Sequence, residues 1–406
     1  MNYTVERLSN GCSVVYHYRN SSLSHLGVVF RVGSRDEEQE NKFGIAHLLE
    51  HTIFLGSTSY TDIEKCSKDI CCDFDAMTSK EVTLFNMTLL DQYFVDGIDL
   101  LLDITLSPTF PDRLFKREKG VIKNEIDRHN SSVKNMIYDD IMATLFENHS
   151  LAHPILGNNE TIDKIQINDV VQFHKQYYTS NNMTFFYSGN VEYNHLKAIL
   201  LDKINKSSVF SQKRITNRPL HIPARHKTTN KNATDIIDVA IFGYAPEENH
   251  ERYIVFLLLK EVLSSNMGNG VLLKQLRYRH GLIYNIEMEY TSFSDTAFWD
   301  IRYKCRAIDA ANIYEIILHI LTNILLYISP KDFDYHKRCL LINLLQQEEN
   351  RRKCLISDVL SMLSINGCDK LLKFSGLINS ISIEDIISES EITFSMQNIN
   401  YREYNT

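Results

Sequence analysis

The sequence predicts an α+β protein built from two similar halves. Short runs rich in β-branched and aromatic residues alternate with segments whose apolar residues recur at helical spacing. A polar, basic stretch with Pro219 and Pro223 interrupts this pattern over residues 207–235. Beyond it the strand-then-helix order begins again, so residues 1–206 and 236–406 read as two domains joined by a linker. A length of 406 residues agrees with two or three domains at roughly 150 residues each.

Val14–Tyr18 and Leu26–Val32 read as strands around the turn-forming Asn20-Ser21-Ser22. Asn41–Leu55 reads as a helix, with Gly44 near its start and Gly56 just past its end. Asp73–Leu90 is rich in Thr, Val, Phe and Met, and its middle suggests one long strand. In Asp91–Leu106 the residues Phe94, Ile98, Leu101 and Leu102 fall on one helical face. Ser107–Pro111 breaks that helix, and Asp112 is positioned to cap the next, which runs to about His129. Helices over Val133–Asn148 and Asn168–Tyr178, an aromatic strand Met183–Tyr187 and a helix Tyr193–Lys206 complete the first half. In the second half, Ile236–Tyr244 reads as a strand, Arg252–Leu263 as a helix and Ser264–Gly270 as a loop. Leu272–Arg279 is helical, Leu282–Glu289 and Ala297–Arg302 are strands, and helices dominate the rest.

Composition excludes several classes. With 44% hydrophobic and 23% charged residues, the chain is neither disordered nor collagen-like. A net charge of −8 gives no bulk basic character for nucleic acid or an anionic membrane. The basic clusters Lys213–Arg218 and Arg225–Lys231 fall in the linker and read as a solvated connector. The most apolar stretch, Ile313–Ile328, is interrupted by Glu315, His319 and Asn323 and is too short to span a bilayer. The N-terminus lacks the basic start and apolar core of a secretory signal, and the eight cysteines form no CxxC pair. A soluble, cytoplasmic protein with reduced cysteines is the expectation.

The chemistry concentrates in His47-Leu48-Leu49-Glu50-His51, an HxxEH sequence on a predicted helix. At about 100° per residue, positions i, i+3 and i+4 share one face, so two imidazoles one turn apart can grip one Zn²⁺ beside a carboxylate. This pattern inverts HExxH, and its expected roles are two histidine ligands and a glutamate that activates the water on the metal. Apolar flanks on both sides place the helix in a core, where three polar groups need a partner. A third ligand is required. Glu118 and Glu125 lie two turns apart on one face of the helix after Asp112, with Val121 and Ile122 as apolar packing near them. Glu125 is the first choice for third ligand and Glu118 for a partner that orients a histidine. His129, one turn beyond Glu125, competes on pattern alone.

Together these residues resemble the pitrilysin-type (M16, inverzincin) metallopeptidases, in the half-length subunit form. Phe43–His51 is similar to that family's zinc helix. Glu125 follows His51 within the spacing the family uses, and Arg117–Ile126 is similar to its second metal helix. Phe74-Asp75-Ala76-Met77-Thr78-Ser79 resembles the strand on which the family pairs substrate backbone, a form of β-augmentation. Asp75 stands where the family usually has Asn, which keeps an acceptor and loses the amide donor. In the second half, Arg277 and Tyr284 resemble the family's Arg/Tyr pair, whose donors suit a developing oxyanion.

The resemblance implies two similar domains, each a mostly antiparallel sheet covered by helices, forming one half-shell of a clamshell peptidase. It implies one zinc ion per chain, held by His47, His51 and Glu125, with Glu50 as general base and Glu118 tuning the site. It implies hydrolysis of peptides or small unfolded proteins inside a chamber, with Asp75 and Ala76 on the substrate strand. The zinc motif and the Arg/Tyr pair are expected from opposite half-shells, so a homodimer with two composite sites is the economical expectation. A heterodimer with a related subunit is the alternative, as is a non-catalytic or partner-dependent subunit.

Overall fold

The computed structural model describes residues 3–204, 218–228, 235–265, 267–349, 351–364 and 370–405. They form two compact units, one over residues 1–132 and 148–215 and the other over 133–147 and 216–406. The fold is α+β, with one mostly antiparallel sheet and a cover of helices in each unit.

In the first unit the strands are β1 (Thr4–Arg7), β2 (Ser13–Tyr18), β3 (Leu23–Phe30), β4 (Asp73–Thr78), β5 (Thr83–Leu90) and β6 (Met183–Gly189). Their order is β1-β2-β6-β3-β5-β4. The β2–β6 pairing is parallel and the others antiparallel. Central β6 is buried along its whole length, as its aromatic sequence requires. Edge strand β4 instead alternates, with Asp73, Asp75 and Met77 exposed and Phe74, Ala76 and Thr78 half-buried. Ile98, Leu101 and Ile104 of the helix Phe94–Leu106 are fully buried in the core of this unit.

Three elements of this unit differ from the sequence reading. Asp73–Leu90 is a hairpin, not one strand. The Ser79 N–H donates to the Val82 carbonyl at 2.9 Å, and Ser79 Oγ accepts from the Val82 N–H at 3.1 Å, closing a tight turn. The helix expected from Asn41 begins at Ile45, because Gly44 adopts φ +96° and a helix cannot run through it. Asp112 opens the helix Asp112–Asn130 without capping it; its carboxylate pairs with Lys116 at 2.7 Å.

The second unit holds β7 (His226–Lys227), β8 (Ile236–Ala245), β9 (Ile286–Ser292), β10 (Ala297–Arg306) and β11 (Asn400–Asn405) in the order β7-β11-β8-β10-β9. β11 lies in the stretch where helices were expected to dominate and no strand was read. Its sequence is polar, but it pairs with β8 from end to end, and Tyr401 packs on Tyr314 with ring centroids 4.5 Å apart. The strand expected at Leu282 begins only at Ile286, so Tyr284 precedes it. The helix Val133–Leu145, placed in the first half by the sequence reading, groups with the second unit. The Tyr404 hydroxyl donates to its Asp140 at 2.7 Å, and the Tyr244 hydroxyl donates to the Leu145 carbonyl at 2.5 Å. Of the expected linker, residues 207–217 and 229–234 lie outside the described residues, and with them 213–217 of the first basic cluster and 229–231 of the second. No helix among the described residues is long and apolar enough to cross a membrane.

Candidate metal centre

The HxxEH helix, Ile45–Ile53, is buried almost throughout, with Ala46, Leu48 and Leu49 fully enclosed. Its polar face therefore carries His47, only 7% exposed, with Glu50 buried and His51 half-buried. The helix Asp112–Asn130 packs through Phe115, Ile122 and Ile126. Ile122 supplies the packing expected of it, whereas Val121 is 45% exposed and does not. That anchoring stripe turns Glu118 and Glu125 toward the two histidines.

One ligand atom from each of His47, His51 and Glu125 lies within 4.8 Å of the other two. Among the described residues this is the one group of three or more such side chains close enough to hold a metal ion, and His129 is not in it. Glu125 Oε2 stands 3.5 Å from His51 Nε2 and 3.8 Å from His47 Nε2. His51 Nδ1 meets Glu118 Oε1 at 3.0 Å. As the carboxylate can only accept, Nδ1 is the donor, which leaves the Nε2 lone pair directed at Glu125.

The electrostatics favour a cation at this point. Burial, with His51 beside it, pushes His47 down to about 3, so its ring is neutral and keeps a lone pair. His47 Nδ1 is buried without a hydrogen-bond partner among the described residues. Burial pulls His51 downward, but Glu118, Glu50 and Glu125 outweigh it and hold its pKa above the usual value. Burial raises Glu50 above the ordinary carboxylate range, against the Thr78 hydroxyl, which donates to Glu50 Oε2 at 2.6 Å. Two imidazoles and one carboxylate match the donor set of a catalytic zinc with one open position. The residues fit the metal.

Asp75 and Ala76 lie on β4, the sheet edge that also carries Thr78. Asp75 is exposed and acts on Glu50 through its charge. Arg277 and Tyr284 belong to the second unit and are brought together with each other. Arg277 sits on a π-helical turn, Lys274–Arg279, and its guanidinium lies 4.6 Å from the Tyr284 ring centroid. Tyr284 is 80% exposed, so it is not a core residue of a strand.

Sequence reasoning missed two residues here. Thr78 stands inside the segment singled out for substrate pairing, but nothing in the pattern assigned its hydroxyl to Glu50. Glu37, which hydrogen-bonds the start of the HxxEH helix, had no signal at all, because its partners are backbone N–H groups.

Residues 13–159 match the family model described as insulinase (peptidase family M16), and residues 164–340 match the one described as peptidase M16 inactive domain. The chain is 28% identical to an uncharacterized zinc protease, YmxG, of Bacillus subtilis, over 68% of this chain and 67% of that one. It is 25% identical to the mitochondrial-processing peptidase subunit beta of Mus musculus, over 78% of this chain and 66% of that one. Among solved structures, a protease from Helicobacter pylori superposes with a TM-score of 0.88 at 18% identity, covering 99% of both chains. A peptidase M16 inactive domain from Pseudomonas fluorescens gives 0.87 at 16%, covering 99% of this chain and 98% of that one. The two family models are successive parts of one kind of peptidase and cover both halves of the chain, which therefore belongs to peptidase family M16.

Proposed function

We propose that this chain is a zinc metalloendopeptidase that hydrolyses peptides or small unfolded proteins in an enclosed chamber. The observation that carries the reading is the convergence of His47, His51 and Glu125 within 4.8 Å of one another, with Glu50 on the same helix. His47, His51 and Glu125 would hold the zinc. When bound, zinc supplies a Lewis acid that polarises the scissile carbonyl and makes water a better nucleophile. Glu50 takes a proton from the attacking water and delivers it to the leaving amine. Thr78 occupies Glu50 Oε2 and so leaves Oε1 to receive that proton. Glu118 fixes the His51 ring through Nδ1. Substrate backbone adds to the edge strand β4 alongside Asp75 and Ala76. Arg277 and the Tyr284 hydroxyl donate to the oxyanion.

In this reading the Arg/Tyr pair of a second copy completes each centre, so the working unit is a homodimer, located in the cytoplasm. A heterodimer is the second reading, supported by relatives that are named as the beta subunits of a processing peptidase. A fluorogenic peptide mixture tests the proposal. Hydrolysis by the purified chain should stop with a chelator and return with Zn²⁺. The heterodimer reading predicts hydrolysis only after a second protein is added. Hydrolysis insensitive to chelation contradicts both.

A further inference from the structure

Gly44 is the residue before the first turn of the HxxEH helix, the place where a Ser, Thr, Asp or Asn side chain ordinarily satisfies free backbone N–H groups. No such side chain fits. Gly44 has φ +96°, and a Cβ there would stand 2.5 Å from the Leu156 carbonyl oxygen. The cap comes instead from Glu37. Its Oε2 accepts the Gly44 N–H and its Oε1 the Ala46 N–H, both at 2.9 Å. The carboxylate is buried, at the positive end of the helix dipole.

Further residues hold this cap. His153 Nδ1 stands 3.7 Å from Glu37 Oε2, donates to the Pro154 carbonyl at 3.1 Å, and its ring stacks on Phe43 with centroids 3.7 Å apart. The buried Lys80 ammonium donates to the His153 carbonyl. Lys80 lies in the β4–β5 turn, so the cap is tied to the edge strand as well as to the helix. Thr161 Oγ1 donates to the Phe43 carbonyl at 2.7 Å. The next residue after Ala46 is His47.

We propose that Glu37 is a positioning residue for the metal ligand His47, setting the first helical turn from outside the helix and thereby the place of that imidazole. The inference rests on the zinc reading above. It differs from a role in stability alone, because it predicts altered metal binding in molecules that remain folded. Removal of groups that orient metal ligands typically weakens affinity about tenfold to a hundredfold.

The test is a competition titration with Zn²⁺ on the full chain, at a pH above the raised Glu37 value so that both carboxylate oxygens accept, together with the visible spectrum of the Co²⁺-loaded protein. Glu37→Gln keeps the side-chain volume but opposes an amide NH₂ to one backbone N–H, and Glu37→Asp is too short to reach both. Both variants should bind Zn²⁺ at least about tenfold more weakly than the wild type and shift the cobalt spectrum, with unchanged far-UV circular dichroism. Folded variants that bind within about twofold of the wild type, with the same cobalt spectrum, overturn the proposal while leaving the peptidase reading intact. A wild type that binds no Zn²⁺ sinks the peptidase reading itself. Hydrogen exchange of the wild type gives a comparison free of variants: Zn²⁺ should slow exchange at the Gly44 and Ala46 amides, and exchange there unchanged by Zn²⁺ overturns the proposal.

Discussion

His51 Nδ1 donates to Glu118 Oε1 at 3.0 Å, and that single bond decides which ring nitrogen faces Glu125. Replacing Glu118 by Gln keeps the size and offers a neutral acceptor. It should weaken Zn²⁺ binding by about tenfold to a hundredfold, because the carboxylate no longer raises the basicity of the imidazole. A zinc competition titration reads the effect. The melting temperature should change little, since Glu118 lies outside the apolar stripe of its helix.

Gly44→Ala should destabilise the protein through the backbone. A side chain at φ +96° costs about 1–3 kcal/mol, and here its Cβ would also collide with the Leu156 carbonyl. Urea denaturation should show a lower midpoint with an unchanged slope.

Glu37 should leave a mark on the pH dependence of stability. Burial lifts it to about 8 from an ordinary 4.5, and Asp36 adds to the lift, while the Ala46 and Gly44 N–H groups and Lys80 oppose it. A group that binds its proton more tightly when folded stabilises fully below its unfolded pKa, and this contribution is lost as pH rises through the folded value. The zinc-free wild type should therefore lose stability between about pH 4.5 and pH 8 relative to Glu37→Gln. Parallel profiles across that window would contradict this assignment.

The parts of this protein that follow from local spacing were legible in the sequence. His47 and His51 are one turn apart, and Glu118 and Glu125 two turns apart, so each pair occupies one face of its own helix wherever that helix packs. Tertiary contacts were not legible. The β11 sequence reads as polar because its burial comes from pairing with β8, and the helix Val133–Leu145 joins the second unit through hydroxyls distant in sequence. Asp73–Leu90 divides at Ser79 through hydrogen bonds within one turn, which the strand-forming residues on both sides concealed. Glu125 was the first choice by pattern, with His129 one turn on as a competitor; the packing of Ile122 and Ile126 is what turns Glu125 toward the histidines.

Composite sites predict complementation. Tyr284→Phe removes a hydroxyl from a ring that is 80% exposed, so stability should stay within about 0.5 kcal/mol of the wild type. Its peptidase activity should fall, through kcat more than KM. Mixing this variant with Glu50→Gln under conditions that exchange subunits should restore hydrolysis that neither shows alone, because one site in each mixed dimer is intact. Failure to restore activity in demonstrably mixed dimers would exclude sharing of sites between copies.

The most direct measurement is zinc content and peptide hydrolysis for the wild type and Glu50→Gln side by side. One zinc per chain is expected in both, with hydrolysis lower in the variant by roughly 10²–10⁴-fold, the usual worth of a general base. A wild type without stoichiometric zinc, or a variant as active as the wild type, would contradict the account.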